Sequence, residues 1–179
     1  MISRREFIQD AAIAASGIVL AGCSADKSSV FNGDERNCLV ALAEQIIPAD
    51  EKFGGATDAG VINYIETFAT KYYPEIVPYY RAQLAMLQKA CKAVNSKKFQ
   101  KLDFSAQTAF MKQMEVGKVP FAEWNASDQR SFFNEILTRS MQGFFGAPRH
   151  GGNKNYMSYK MLGLDMPVVI GQNRYERRS

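Results

Sequence analysis

Side chains able to do chemistry are scarce in this chain. Its 179 residues include one histidine, His150, and three cysteines, Cys23, Cys38 and Cys91. General acid–base, metal and triad chemistry all lean on imidazole. His150 has no cysteine or carboxylate beside it in sequence, so to act as a base it would need Asn153 or Tyr156 as an orienting group. Paired carboxylates such as Asp50-Glu51 lie beside loop signals, where solvation is their ordinary state. Phosphate-cradling glycine motifs, a GxSxG elbow, HExxH and a heme-attaching CxxCH are all missing. There is also no CxxC, and a single histidine cannot complete a structural zinc site of the usual kind. The expectation is that no catalytic, cofactor-binding or metal-binding residue belongs to this chain.

Cys23 is the thiol with the most specific neighbours. It closes Leu20-Ala21-Gly22-Cys23, the pattern of a lipoprotein cleavage box, in which the thiolate is the nucleophile that receives a diacylglycerol. Upstream, Arg4 and Arg5 precede Phe7 and Ile8, and an uncharged run extends from Ala11 to Gly22. Charged start, short apolar middle and small-residue cleavage site are the three parts of a bacterial export signal, and the arginine pair selects the twin-arginine route. A helix here would be apolar on every face rather than striped, and it falls short of the roughly 20 residues that span a membrane. Residues 1–22 are therefore expected to be a twin-arginine signal peptide, with Arg4, Arg5 and Phe7 as its recognition residues. Cys23 is the expected lipidation site, residues 23–33 a lipid-bearing flexible tether, and residues 34–179 one folded domain. That organisation puts the chain in the periplasm, held to a membrane through the lipid on Cys23.

Cys38 and Cys91 both fall inside apolar helical patterns. An oxidising compartment would permit a disulfide between them, and two buried small hydrophobes are the competing reading. The formal net charge is +4 with both signs interspersed, which describes an ordinary solvated surface rather than a nucleic-acid groove. The basic cluster of Arg174, Arg177 and Arg178 reads as a frayed terminus.

Helical spacing dominates the domain. Asp34 is placed to cap a helix carrying Leu39, Leu42, Ala43, Ile46 and Ile47, which Pro48 stops. Thr57 or Asp58 would cap a second, with Val61, Ile62, Ile65 and Phe68 on one face, broken at Tyr72-Tyr73-Pro74. A third runs from Glu75 to about Val94, with Tyr80, Leu84, Leu87 and Cys91 at spacings of three and four. Ser105 opens a short helix ending near Gly117, and Ser127 opens the clearest one, with Phe132, Phe133, Ile136, Leu137 and Met141 buried and a stop at Gly143. No stretch alternates with period two, and Val168-Val169-Ile170 is too isolated to found a sheet. The fold class is mostly α, an irregular bundle of about five or six short helices with long loops in a single domain.

One loop is unusual, from Gly143-Phe144-Phe145-Gly146 through Pro148, Arg149 and His150 to Gly151-Gly152-Asn153, with Tyr156 and Tyr159 beyond. Glycines at this density permit close approach of the backbone to something else, either another part of the same domain or a partner chain. Phe144, Phe145, Pro148, His150, Gly151, Gly152, Asn153 and Tyr159 are the candidate partner interface.

The arginine-pair signal, Ile46-Ile47-Pro48-Ala49-Asp50, the Gly55-Ala56-Thr57-Asp58-Ala59-Gly60-Val61 turn and the late Pro-x-x-Gly-Gly-Asn segment with Leu162-Gly163 together resemble the gluconate 2-dehydrogenase small-subunit family. The chain departs from that family's pattern at His150, where tyrosine is usual, and at Tyr159, near the position of a tryptophan. The resemblance implies a non-catalytic accessory subunit. Its partner would be a flavoprotein of the glucose-methanol-choline oxidoreductase type, which holds FAD and oxidises a sugar or sugar acid. A c-type cytochrome subunit with heme would be a further partner. It also implies that the small subunit supplies the signal that takes both chains through the twin-arginine translocase. The residues by themselves leave two other readings: a free-standing envelope lipoprotein with a ligand-binding or structural role, and an enzyme built on His150.

Overall fold

The computed structural model describes residues 29–164. Arg4, Arg5, Phe7 and Cys23, the Val168–Ile170 run and the basic tail lie outside them. Six α-helices follow in order: α1 Gly33–Ile46, α2 Val61–Thr67, α3 Val77–Asn95, α4 Phe104–Glu115, α5 Ala126–Phe145 and α6 Met157–Met161. No strand occurs among the described residues, as the absence of period-two alternation requires. The mostly α bundle is therefore the observed architecture. The longest helix, α5, is its spine, packed against α1, α2, α4 and α6. Trp124, Tyr80, Phe132, Phe99 and Phe144 are the largest side chains closed off between the helices.

Most helix starts lie one to three residues from the expected ones, because several cap-capable residues stand side by side and only the folded chain selects among them. Asn32, rather than Asp34, caps α1 and forms a reciprocal pair with Glu35, each side chain accepting from the other's backbone N–H at 2.9 Å. Asp103 replaces Ser105 as the cap of α4, and Asn125 replaces Ser127 at α5. Packed structure also begins before Asp34. Phe31 is buried with its ring 5.6 Å from that of Tyr80, so the last residues of the expected tether belong to the domain. Helix α5 runs through Gly143 to Phe145 instead of stopping at the glycine.

The second helix ends abnormally. After Thr67 the turn widens into a π-helical segment, Phe68–Tyr72, closed by a bond from the Tyr73 N–H to the Phe68 carbonyl at 2.9 Å. The Arg139 guanidinium of α5 lies 3.7 Å over the Phe68 ring and bonds Glu135 at 2.8 Å. Glu135 in turn accepts from the buried Tyr80 hydroxyl at 3.1 Å. Burial, reinforced by that neighbouring carboxylate, pushes the Tyr80 phenol far above its ordinary range, so it stays a neutral donor.

Buried glutamines join the connections to the helices. Gln129 accepts from the Val119 N–H at 2.9 Å and donates to the carbonyls of Val119 at 3.2 Å and Trp124 at 2.7 Å. Gln83 accepts from the Trp124 indole at 2.8 Å. Gln107 donates to the Phe99 carbonyl at 3.1 Å and accepts from Gln45 at 2.9 Å. Each amide satisfies backbone or side-chain groups that burial has removed from water. Gln129→Met keeps the volume but strands the Val119 and Trp124 backbone groups. It is expected to cost about 2–4 kcal/mol in urea unfolding, while Gln113→Met on the exposed side of α4 stays within about 0.5 kcal/mol.

Candidate functional site

The segments that stand out in the sequence are joints between helices. At the end of α1 the chain must turn back toward α2, and Glu44, in the last turn of α1, holds it there. Its carboxylate accepts from the Thr57 N–H at 2.9 Å, the Thr57 hydroxyl at 2.7 Å and the Ala49 N–H at 3.3 Å. Asp58 accepts from the Gly55 N–H at 3.1 Å. Thr57 and Asp58 are thus occupied in the turn, and α2 starts from Gly60 in the left-handed conformation, with no side-chain cap. Asp50 accepts from the N–H groups of Lys52 and Phe53 at 2.7 and 2.8 Å, and these bonds hold its carboxyl below the ordinary carboxylate value.

The second joint is the glycine loop. A Cβ on Gly152 would stand 2.0 Å from the Gly143 carbonyl oxygen, so the loop backbone is pressed directly onto α5. Asn153 is fully buried in the left-handed region, which asparagine tolerates better than most residues. Its amide is spent on its own chain: Nδ2 donates to the Gly146 carbonyl at 2.8 Å and Oδ1 accepts from the Ser158 N–H at 2.9 Å. The Lys154 N–H then bonds the Ala59 carbonyl at 2.9 Å, which ties this loop to the turn before α2. The two conspicuous motifs of the sequence therefore meet in space.

This geometry sorts the candidate interface residues. Phe144, Gly152 and Asn153 face inward, and Phe145 packs half-buried against Phe144 with ring centroids 5.0 Å apart. For these residues the close approach permitted by the glycines is to the chain's own helix, the first of the two readings the sequence leaves open. Pro148, His150, Gly151 and Tyr159 are partly exposed. His150 is not oriented by Asn153, whose amide is already used. Instead Arg149 donates from Nε to His150 Nε2 at 3.1 Å, and the ring's Nδ1 lies 3.4 Å from the Tyr72 hydroxyl. An accepting Nε2 leaves the ring proton on Nδ1, so Nδ1 donates to Tyr72. Tyr156 pairs with Tyr159 at a ring distance of 6.0 Å.

Cys38 and Cys91 are both buried free thiols in this structure. Burial pushes the Cys38 thiol far above its ordinary value and Cys91 up to about 11. Neutral thiols of this kind pack as small hydrophobes and are poor nucleophiles. Among the described residues no group of three or more His, Cys, Asp or Glu is placed to hold a metal ion. No described helix is long and apolar enough to cross a membrane.

A family model described as gluconate 2-dehydrogenase subunit 3 matches residues 33–165, a span that contains both joints and all six helices. The chain belongs to this family. Neither the curated proteins nor the solved structures yielded a match. Membership makes the chain a subunit of a dehydrogenase complex, and the family segments quoted from the sequence are the ones that close the fold on itself.

Sequence reasoning missed Glu44, whose three bonds hold the first joint, and Lys71 beside Tyr72-Tyr73-Pro74, a segment that reads only as a helix break. The available signal for the run was two consecutive tyrosines before Pro74. Tyr72 and Tyr73 remain 47% and 51% exposed in the folded chain. Gly152→Ala drives a Cβ into the Gly143 carbonyl and is expected to destabilise the chain by about 3 kcal/mol in urea unfolding, with His150→Ala within about 0.5 kcal/mol of wild type.

Proposed function

We propose that this subunit is non-catalytic, that it binds and stabilises an FAD-dependent sugar or sugar-acid dehydrogenase of the glucose-methanol-choline oxidoreductase type, and that it escorts that partner through the twin-arginine translocase. The observation that carries the reading is the family match across residues 33–165, in a family whose members are subunits of gluconate 2-dehydrogenase. The polar side chains of the matched motifs agree with it. Glu44, Thr57, Asp58 and Asn153 are all consumed in bonds within the chain, which suits a scaffold more than a reacting centre.

The export half of the reading rests on the sequence before the helical domain. Arg4 and Arg5 direct the chain to a route for folded proteins, and the escorted flavoprotein keeps its FAD, acquired in the cytoplasm, while it crosses. Cys23 then receives lipid and holds the assembly on a membrane facing the periplasm, where a cytochrome c subunit takes the electrons. One acyl-type anchor gives marginal binding and two signals give stable binding, so a diacylated Cys23 is sufficient by itself.

Replacing both Arg4 and Arg5 by lysine in cells that also make the flavoprotein is expected to leave dehydrogenase activity in the cytoplasm. Activity undiminished outside the cytoplasm would refute the escort role. Cys23→Ser is expected to move the chain and its dehydrogenase partner from the membrane fraction to the soluble fraction with activity retained, as read by fractionation and by mass spectrometry of the amino-terminal peptide.

A further inference from the structure

Beside the glycine loop lies a surface that the joints do not use. Residues 70–75 are all exposed, running from the last three residues of the π-helical segment into the turn after it. Tyr73 stacks on Phe68 at a centroid distance of 4.9 Å, and the Arg139 guanidinium also lies over the Phe68 ring. Tyr72 is bonded to His150, and the Lys71 ammonium lies 5.7 Å from the Tyr72 ring centroid. Arg149 completes the cluster through its bond to His150. The tyrosines are therefore exposed yet held in place, so ordering them on contact costs little.

The loop on the far side of this cluster carries charge of one sign, while the run 70–75 carries Lys71 and, at its far end, Glu75. From Gly143 to Leu164 the chain carries Arg149, Lys154 and Lys160 and no aspartate or glutamate. Lys71 and Arg149 form none of the ion pairs found among the described residues, which join Arg36 to Glu66, Arg81 to Glu35, Lys89 to Glu123, Lys98 to Asp34 and Arg139 to Glu135. Glu75, at the far end of the exposed run, takes part in none of them either. Fixed tyrosines with an arginine are the side chains that most often dominate protein interfaces. Binding to an anionic lipid surface draws on clusters of about four to eight basic residues and needs no fixed aromatic pair, whereas this cluster joins two cations, Lys71 and Arg149, to two held tyrosines.

We propose that the surface formed by Lys71, Tyr72, Tyr73, Arg149 and His150 is the docking site for a carboxylate-bearing face of the dehydrogenase subunit. Tyr72 and Tyr73 supply the apolar contact, and Lys71 and Arg149 pair with the partner's carboxylates. This rests on the accessory-subunit reading above and replaces the inward-facing Phe144, Gly152 and Asn153 as the contact residues.

The test uses the full chain co-expressed with its flavoprotein subunit, purified as the complex, and then measures reassociation of the separated subunits at low and moderate salt. Lys71→Glu together with Arg149→Glu is expected to weaken binding roughly 100-fold at low salt and to flatten its salt dependence. Tyr72→Ala is expected to weaken it about 10-fold. Lys112→Glu with Lys118→Glu, exposed cations on and just after α4, is the control and is expected to leave affinity within about two-fold. Thermal melting checks that the charge reversals fold, and Lys71→Gln with Arg149→Gln gives the same readout if they do not. A charge-reversed chain that binds the flavoprotein as wild type does would overturn this surface while leaving the accessory role intact. A wild-type chain that holds no flavoprotein would instead defeat the accessory role. Phosphatidylglycerol vesicles released by the charge reversal, with flavoprotein affinity unchanged, would assign the surface to lipid and overturn the proposal.

Discussion

The fold depends on the contact between the backbone of Gly152 and the Gly143 carbonyl. Helix α5 can serve as the spine of the bundle only if the chain leaving it doubles back at once, since α6 and the loop must cover its far end. That reversal leaves no room for a side chain at position 152, where a Cβ would meet the carbonyl oxygen at 2.0 Å. Asn153 then fixes the reversed chain with both ends of its amide, one toward Gly146 and one toward Ser158. A buried amide bonded at both ends tolerates little displacement, because each lost bond leaves a desolvated polar group behind. The Lys154 bond to Ala59 carries the constraint onward to the start of α2.

From that anchor the molecule divides by chemistry. Motif residues that look functional in one dimension are absorbed into the frame. Aromatic and basic residues that look incidental are left outside it. The π-helical segment is where the two meet: its Phe68 is clamped beneath Arg139, and its Tyr72 and the following Tyr73 are turned outward and held. A subunit that works by holding a larger chain needs an outer face that is already held in place, because an interface that must first order itself loses affinity. The Glu135, Arg139 and Tyr80 network serves the same end from inside, keeping the outer turn seated on α5.

Much of the fold was legible before any coordinates. Tyr80, Leu84, Leu87 and Cys91 repeat at helical spacing and all four are buried on α3. The same holds for Phe132, Phe133 and Ile136 on α5. The caps were less legible, since Asn32 and Asp34, or Asn125 and Ser127, are similar cap-capable residues only two positions apart. Gly143 was misread as a stop because a glycine's two uses, ending a helix and admitting a close neighbour, look alike in sequence. The buried glutamines escaped notice for a related reason: polarity alone marks them as surface residues, and only their backbone partners make burial affordable.

The sequence by itself determined the helical class, the order of the helices, the poverty of reactive side chains and the family to which the chain belongs. Periodicity, turn residues and motif order are local properties, carried by neighbours along the chain. Tertiary structure alone decided which conspicuous residues face inward. Asn153 and Phe144 became core, Cys38 and Cys91 became buried free thiols, and Tyr72 was brought to His150 across 78 residues of separation. Whether a side chain points at its own domain or at solvent depends on contacts between distant segments, and no local pattern encodes those.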